Sequence, residues 1–297
     1  MRHVRSIALL AVVGACGTRI SAAPGEVTVD ASAPTDDAGA ATDAPPMLGK
    51  WGAPTKVGVA ATTAVEDDVT LSSSTLELFF AVNTANGKDL YVTTRASVTG
   101  AWTTPTALPF NSATTSDETP RLSADDKTLY FASSRGGNLD IYSVTRPAVG
   151  STMWSAPQAM AINTTAPEKW YAPCGATHYL LVINDAGGNG HLYEGVVGSA
   201  PKAITELNST ASETGSFATP DCLTVYFAST RSGTNLLYTA HRTALTQPFT
   251  PPTVVTDFAI AGAATAAQED PWMSVDGRTF AFASDASGTK DVYLSTR

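Results

Sequence analysis

The sequence predicts an all-β chain folded as a single β-propeller of about five four-stranded blades. Three observations predict it. Similar segments return about every fifty residues, marked by Tyr91, Tyr142, Tyr193, Tyr238 and Tyr293. No stretch carries the apolar period of a helix. Short apolar runs instead alternate with clusters of Gly, Asn, Asp and Ser, the residues that make tight turns. Five copies of the repeat fill the chain from Trp51 to Arg297.

The clearest copy opens with Asp117-Glu118-Thr119-Pro120 as a short inner strand and turns at Ser123 to Asp126. Asp bonds nearby backbone amides there, and Gly at the matching Gly277 tolerates positive φ. The second strand is the apolar run Leu129-Tyr130-Phe131-Ala132, and Gly136-Gly137-Asn138 closes the next hairpin. The third strand carries Asp140-Ile141-Tyr142 and ends at Arg146. An outer strand follows an aromatic-x-x-Pro signature, seen at Trp102 to Pro105, Trp154 to Pro157 and Phe249 to Pro252. Proline suits an edge strand, which has unpaired backbone groups. The last copy stops at Arg297 without that signature, whereas Trp51-Gly52-Ala53-Pro54 carries it with no inner strands before it. Residues 51–59 are therefore expected to complete the last blade and close the ring, leaving no open edge inside it.

The motif Glu-x-Pro-x-x-Ser-x-Asp-Gly-x-x-x-x-Phe-x-Ser-x-x-x-Gly, followed by Asp-Ile-Tyr, resembles the WD40-like (Pro-Asp) repeat of TolB-type periplasmic propellers and related envelope proteins. Copies ending at Arg146 and Arg297 carry it best, with looser copies ending at Arg95 and Arg242; the middle copy has Cys174-Gly175 where others have Asp-Gly. The resemblance covers about 250 residues and implies fold and compartment. It implies no single activity, because one fold hosts many functions.

The N-terminus reads as an export signal. Arg2, His3 and Arg5 form a positive region, Ile7 to Val13 an apolar one, and Gly14-Ala15 a small-residue cleavage site. Val13-Gly14-Ala15-Cys16 resembles a lipobox, which makes residues 1–15 a signal peptide and Cys16 the acylated mature N-terminus. Gly17 follows where Asp would favour retention in the inner membrane, so by resemblance the expected location is the outer membrane, on its periplasmic or surface face. Residues 16–47 hold recurring Ala, Pro and Asp and almost no large apolar side chains. Such a segment cannot offset its ordering entropy and is read as a tether, with a mean reach of about 30 Å. The propeller is assigned to residues 48–297. The formal net charge is −9, and removal of Arg2 and Arg5 with the signal peptide takes it to −9 − 2 = −11. No basic patch is present, which argues against a nucleic-acid partner. Contact with membrane is expected through the lipid anchor only.

An acidic residue opens the inner strand of every copy: Asp67, Glu118, Glu168, Glu213 and Glu269. Inner strands line the axial channel, where a carboxylate ring could hold Ca²⁺, a basic ligand or a sugar. Counted back from the turn, Asp67, Glu118 and Glu269 are equivalent, while Glu168 and Glu213 are displaced by one residue and would face the other way. The acids recur as part of the repeat, so the reading is structural, as acceptors for neighbouring blades or for Arg135 and Arg231. The terminal arginines Arg95, Arg146, Arg242 and Arg297 are likewise assigned to blade packing. No metal and no cofactor are expected. His178, His191 and His241 show no paired spacing, and no nucleophile elbow, Cys-x-x-Cys or phosphate-binding loop occurs. Cys174 and Cys222 lie near the same turn of consecutive copies, in an oxidising compartment. A disulfide requires Cα atoms within about 7 Å, and equivalent points on adjacent blades are usually farther apart, so the pair is left open between bonded and free. The expected function is binding or scaffolding at the cell envelope, with a protein or glycan partner that the sequence does not name. The alternative is a carbohydrate-active enzyme using Asp67, Glu118 and Glu269.

Overall fold

A computed structural model describes residues 48–297. The segments expected to be a signal peptide, an acylated Cys16 and a tether lie outside the described residues. The elements form five antiparallel four-stranded sheets. Blade 1 is β2 (Glu66–Leu71), β3 (Glu77–Thr84), β4 (Gly87–Thr94) and β5 (Thr106–Ala107). Blade 2 is β6 (Asp117–Leu122), β7 (Thr128–Ser133), β8 (Asp140–Thr145) and β9 (Gln158–Ala159). Blade 3 is β10 (Glu168–Cys174), β11 (His178–Asn184), β12 (Gly190–Val196) and β13 (Lys202–Ala203). Blade 4 is β14 (Glu213–Ala218), β15 (Thr224–Ser229), β16 (Leu236–His241) and β17 (Thr253–Val254). Blade 5 is β18 (Gln268–Met273), β19 (Thr279–Ser284) and β20 (Asp291–Thr296), completed by β1 (Thr55–Lys56) from the other end of the described chain. Each inner strand touches the next around the ring, and β18 packs on β2. Apolar side chains fill the seams between blades, as where Phe79, Leu90 and Leu108 of blade 1 meet Leu122, Leu129 and Phe131 of blade 2.

Ring closure follows the expectation, with a shorter regular strand. Thr55 and Lys56 pair with Leu294 and Tyr293. The Gly52 and Val57 amides extend the ladder by donating to Thr296 O and Val292 O, each at 2.8 Å. Residues 58–60 then leave the sheet as a single 3-10 turn. The aromatic-x-x-Pro signature has a partner that explains it. Each terminal arginine donates from Nε to a carbonyl in the turn after its blade's inner strand, namely Thr75, Asp126, Cys222 and Gly277. Its guanidinium then covers the aromatic ring of the outer segment: Arg95 on Trp102, Arg146 on Trp154, Arg242 on Phe249. Arg297 covers Trp51 at 4.1 Å, so the first ring of the propeller sits where the last blade needs one. Blade 3 lacks both halves of the pair, with Val197 and Gly198 at this point of the chain.

Positive φ in the turns falls on Thr75, Asp126, Cys222 and Gly277. In blade 3 the turn is one residue shorter, since Cys174 pairs with His178, and the positive φ moves to Gly175. Cys174-Gly175 is therefore not a replaced Asp-Gly: Cys174 occupies the place of Ser123, and Cys222 that of Asp126. This offset explains how the cysteines meet. Asp126 reaches across the blade 1–2 seam to the Ser73 amide and hydroxyl, and Cys222 reaches across the blade 3–4 seam in the same way. It forms a disulfide with Cys174 with Cα atoms 5.4 Å apart, beside a Gly175 N–H to Pro220 O bond of 2.7 Å.

Candidate functional site

The inner strands run from one face of the ring to the other, so two different mouths result. The face holding their N-terminal ends also carries the hairpins between second and third strands. Every inner strand is interrupted there by a bulge, where pairing skips between Asp67 and Thr70, Glu118 and Arg121, Lys169 and Ala172, Thr214 and Phe217, and Glu269 and Trp272. A bulge re-aims the side chains beside it. The third residue of each strand takes positive φ: Asp68, Thr119, Trp170, Gly215 and Asp270. Gly215 has a further reason, since a Cβ there would stand 2.6 Å from the Asp270 amide nitrogen.

Three of the five acids named from sequence come together, and two do not. Asp67, Glu118 and Glu269 pair with Ala81, Ala132 and Ala283 at one register position. Glu168 and Glu213 share the preceding position with Glu66 and Asp117, opposite Ile183 and Ser229. They are fully buried but bind their own approach loops: Glu168 accepts from Thr164, and Glu213 from Ser209 and Arg231. Of the five acids at the inner strands only Asp67, Glu118 and Glu269 are therefore axial, Glu168 and Glu213 facing away as their one-residue displacement implies, and Arg135 binds Asp117 rather than Glu118.

The three axial acids are latched to neighbouring blades. Lys88 donates to Asp67 and Asp68 at 2.7 Å and lies 4.0 Å from Glu118 of the next blade. Lys290 binds Glu269 and lies 3.9 Å from Asp67 of the next blade. Asn235 donates to Glu269 of the next blade at 2.7 Å, and Lys169 reaches back to Glu118 at 3.3 Å. Lys88, Asn235 and Lys290 all stand three residues before a repeat tyrosine. In the other two copies that position is Leu139 or Gly190, and the acid of the following blade is replaced by Lys169 or Thr214. Donor and acid thus appear together and vanish together, a correlation inside one sequence that could have revealed the latch.

Below this ring the channel is closed by residues sequence reasoning missed. Trp170 donates from Nε1 to Asp68 at 3.2 Å and Asp270 at 2.9 Å, and the Asp68 amide donates to Asp270. Asp270 is pushed well above the usual carboxylate range by burial, then by the charges of Asp68 and Glu269. Burial and Asp68 likewise raise Asp67 to about 7. Burial opposes ionisation of Asp68 too, but the Lys88 ammonium outweighs it and holds this carboxyl below its ordinary value. Asp67, Glu269 and Asp270 each bring an oxygen within 4.8 Å of the others, a spacing that suits a cation. Lys290 already supplies that positive charge through its contacts with Glu269 and Asp67. Beneath, Arg121 spans the channel and donates to Ser216 O at 3.1 Å.

No family model matches the chain, and no curated protein matches it. Solved structures with a similar fold include the α-L-arabinofuranosidase of Podospora anserina in complex with cellotriose, at 14% identity and a TM-score of 0.57 over 84% of this chain and 96% of that one. The catalytic domain of an α-L-arabinofuranosidase from Coprinopsis cinerea matches at 12% identity and 0.54, over 84% and 97%. TolB from Acinetobacter baumannii matches at 13% and 0.51, over 80% of this chain but 56% of that one. At such identities the likeness is one of fold alone, and what it establishes is that the chain is a five-bladed β-propeller.

Proposed function

We propose that the chain is a binding or scaffold protein of the cell envelope, exported, acylated at Cys16 and held by its acidic tether at the outer membrane, where it meets a protein or glycan partner. The observation that carries this reading is the latching of Asp67, Glu118 and Glu269 to Lys88, Lys169, Lys290 and Asn235 above a channel closed by Trp170 and Arg121. Glycoside hydrolysis needs two carboxyls facing a sugar with room between them, and these face lysines. The test is saturable capture of a defined partner from envelope extract, beside a hydrolysis panel. Retention without turnover supports the reading, and turnover of a defined glycan overturns it. The anchor is tested separately, since Cys16→Ala should abolish fatty-acid labelling.

One observation favours a second reading, a carbohydrate-active enzyme. Asp67 holds its proton up to about 7 beside the more acidic Asp68, and one protonated and one ionised carboxyl is the pairing hydrolysis uses. Two of the similar solved structures are α-L-arabinofuranosidases, so α-L-arabinofuranosides belong first in the panel, with Asp67, Glu118 and Glu269 as the residues to vary.

A further inference from the structure

The opposite mouth is built differently. It lies among the turns after the inner strands and encloses a cavity of about 430 Å³, within the size range of small-molecule sites. Its walls are Leu71, Leu122, Tyr130, Phe217, Trp272 and Met273, and its floor is Arg121. Arg121 is 5% exposed, and of its three guanidinium nitrogens only Nη2 has protein acceptors, Ser216 O and, at 3.5 Å, Pro271 O. Nε and Nη1 have no partner. A buried cation left short of acceptors is costly, and a pocket floor is where a ligand would supply them. The acids on the other side of Arg121 are committed elsewhere: Asp68 to Lys88 and Trp170, Asp270 to Trp170 and the Asp68 amide. At the rim, Asp126 is engaged by Ser73. The pocket therefore offers one planar cation with spare donors, surrounded by apolar and aromatic surface.

We propose that this second mouth binds a small organic carboxylate with an apolar body, its carboxylate on Arg121 and its body against Phe217, Trp272 and Tyr130. A planar guanidinium matches a carboxylate in two parallel hydrogen bonds. A single cation suits a monoanion better than a phosphate dianion, and the walls around it are mainly apolar and aromatic, with Ser73, Ser123 and Asp126 the other polar side chains of the lining. The inference goes beyond the binding reading above, whose partner is a protein or glycan, and adds a small-molecule site to it.

The test is calorimetric titration of the purified protein with 4-phenylbutyrate and with its neutral amide. The acid should bind at least tenfold more tightly than the amide. Arg121→Met should remove that preference while leaving the amide unchanged. Should that variant fail to fold, Ala124→Trp, at an exposed rim position lining the pocket, should abolish acid binding with the melting temperature intact. Equal affinity for acid and amide, no heat with the acid up to about 10 mM, or undiminished binding by Ala124→Trp overturns the proposal. Partner capture by a protein that ignores the acid would sink this inference and leave the binding reading standing; glycan turnover by a protein that binds the acid would do the reverse.

Discussion

Removing the closing strand is the perturbation whose cost can be worked out most directly. A chain beginning at Thr62 loses Val57 and Ala60, buried to 4% and 0% exposure, and the half-buried Trp51. Trp51 meets Phe258 and Phe280 edge-on with ring centroids 5.2 and 5.9 Å apart, beneath Arg297. The burial of these side chains is worth about 4 kcal/mol, and the ordering entropy of the segment offsets part of it. Against that, the cut unpairs β20 and strips cover from Phe280. A net loss of about 3 kcal/mol would lower the melting temperature by roughly 6–12 °C in a domain of this size. Trp51→Ala alone should cost about 2 kcal/mol, less than a fully buried Trp because the ring is half exposed. Differential scanning calorimetry of chains beginning at Leu48 and at Thr62 measures the difference, and hydrogen exchange should show the extra opening first in residues 291–296. Equal melting temperatures would refute the closure argument, as would a silent Trp51→Ala.

Two further predictions follow from the charges and the cysteines. Asp67, held up to about 7 against an ordinary 3.8, and Asp270, pushed the same way, keep protons in the native state that the unfolded chain has released. Stability should therefore fall as pH rises from about 4 to about 7, by a few kcal/mol; groups held low, such as Asp68, act below that window. Melting scans should show a higher temperature at pH 5 than at pH 7.5, by the order of 5 °C, and Asp67→Asn should flatten the slope; a rise with pH would contradict the assignment. The Cys174–Cys222 bond spans 48 residues, so Cys174→Ser with Cys222→Ser should cost about 2–4 kcal/mol, read as a loss in denaturant midpoint that reducing agent does not deepen.

Blade number, strand order and ring closure were legible because each rests on local chemistry that recurs. The tyrosine period counts the blades, turn residues divide the strands, and a Trp-x-x-Pro segment with no inner strands before it meets a last copy that lacks one. The register of the acids was legible too, since counting from the turn separated Asp67, Glu118 and Glu269 from Glu168 and Glu213. What sat at the bottom of the channel was not. Asp68, Trp170 and Asp270 point into it because bulges give them positive φ, and a bulge is not written in a two-residue alternation. Arg121 was invisible for a related reason: one copy carries it, so no repeat announces it, and its partners Ser216 and Pro271 come from other blades. The disulfide is not legible from equivalent points on adjacent blades, because the turn of blade 3 is one residue shorter and brings Cys174 opposite Cys222.

On the binding reading, the axial acids join blades rather than perform chemistry. That role is tested most directly by measuring melting temperature and glycan turnover together for Glu118→Gln, Glu269→Gln, Lys88→Met and Lys290→Met, and for the pairs Lys88→Met with Glu118→Gln and Lys290→Met with Glu269→Gln. Each single change should destabilise by about 1–2 kcal/mol, the paired changes should cost less than the sum of their parts, and no turnover should depend on any of them. Loss of turnover on a defined glycan in Glu118→Gln or Glu269→Gln, at an unchanged melting temperature, would contradict that role.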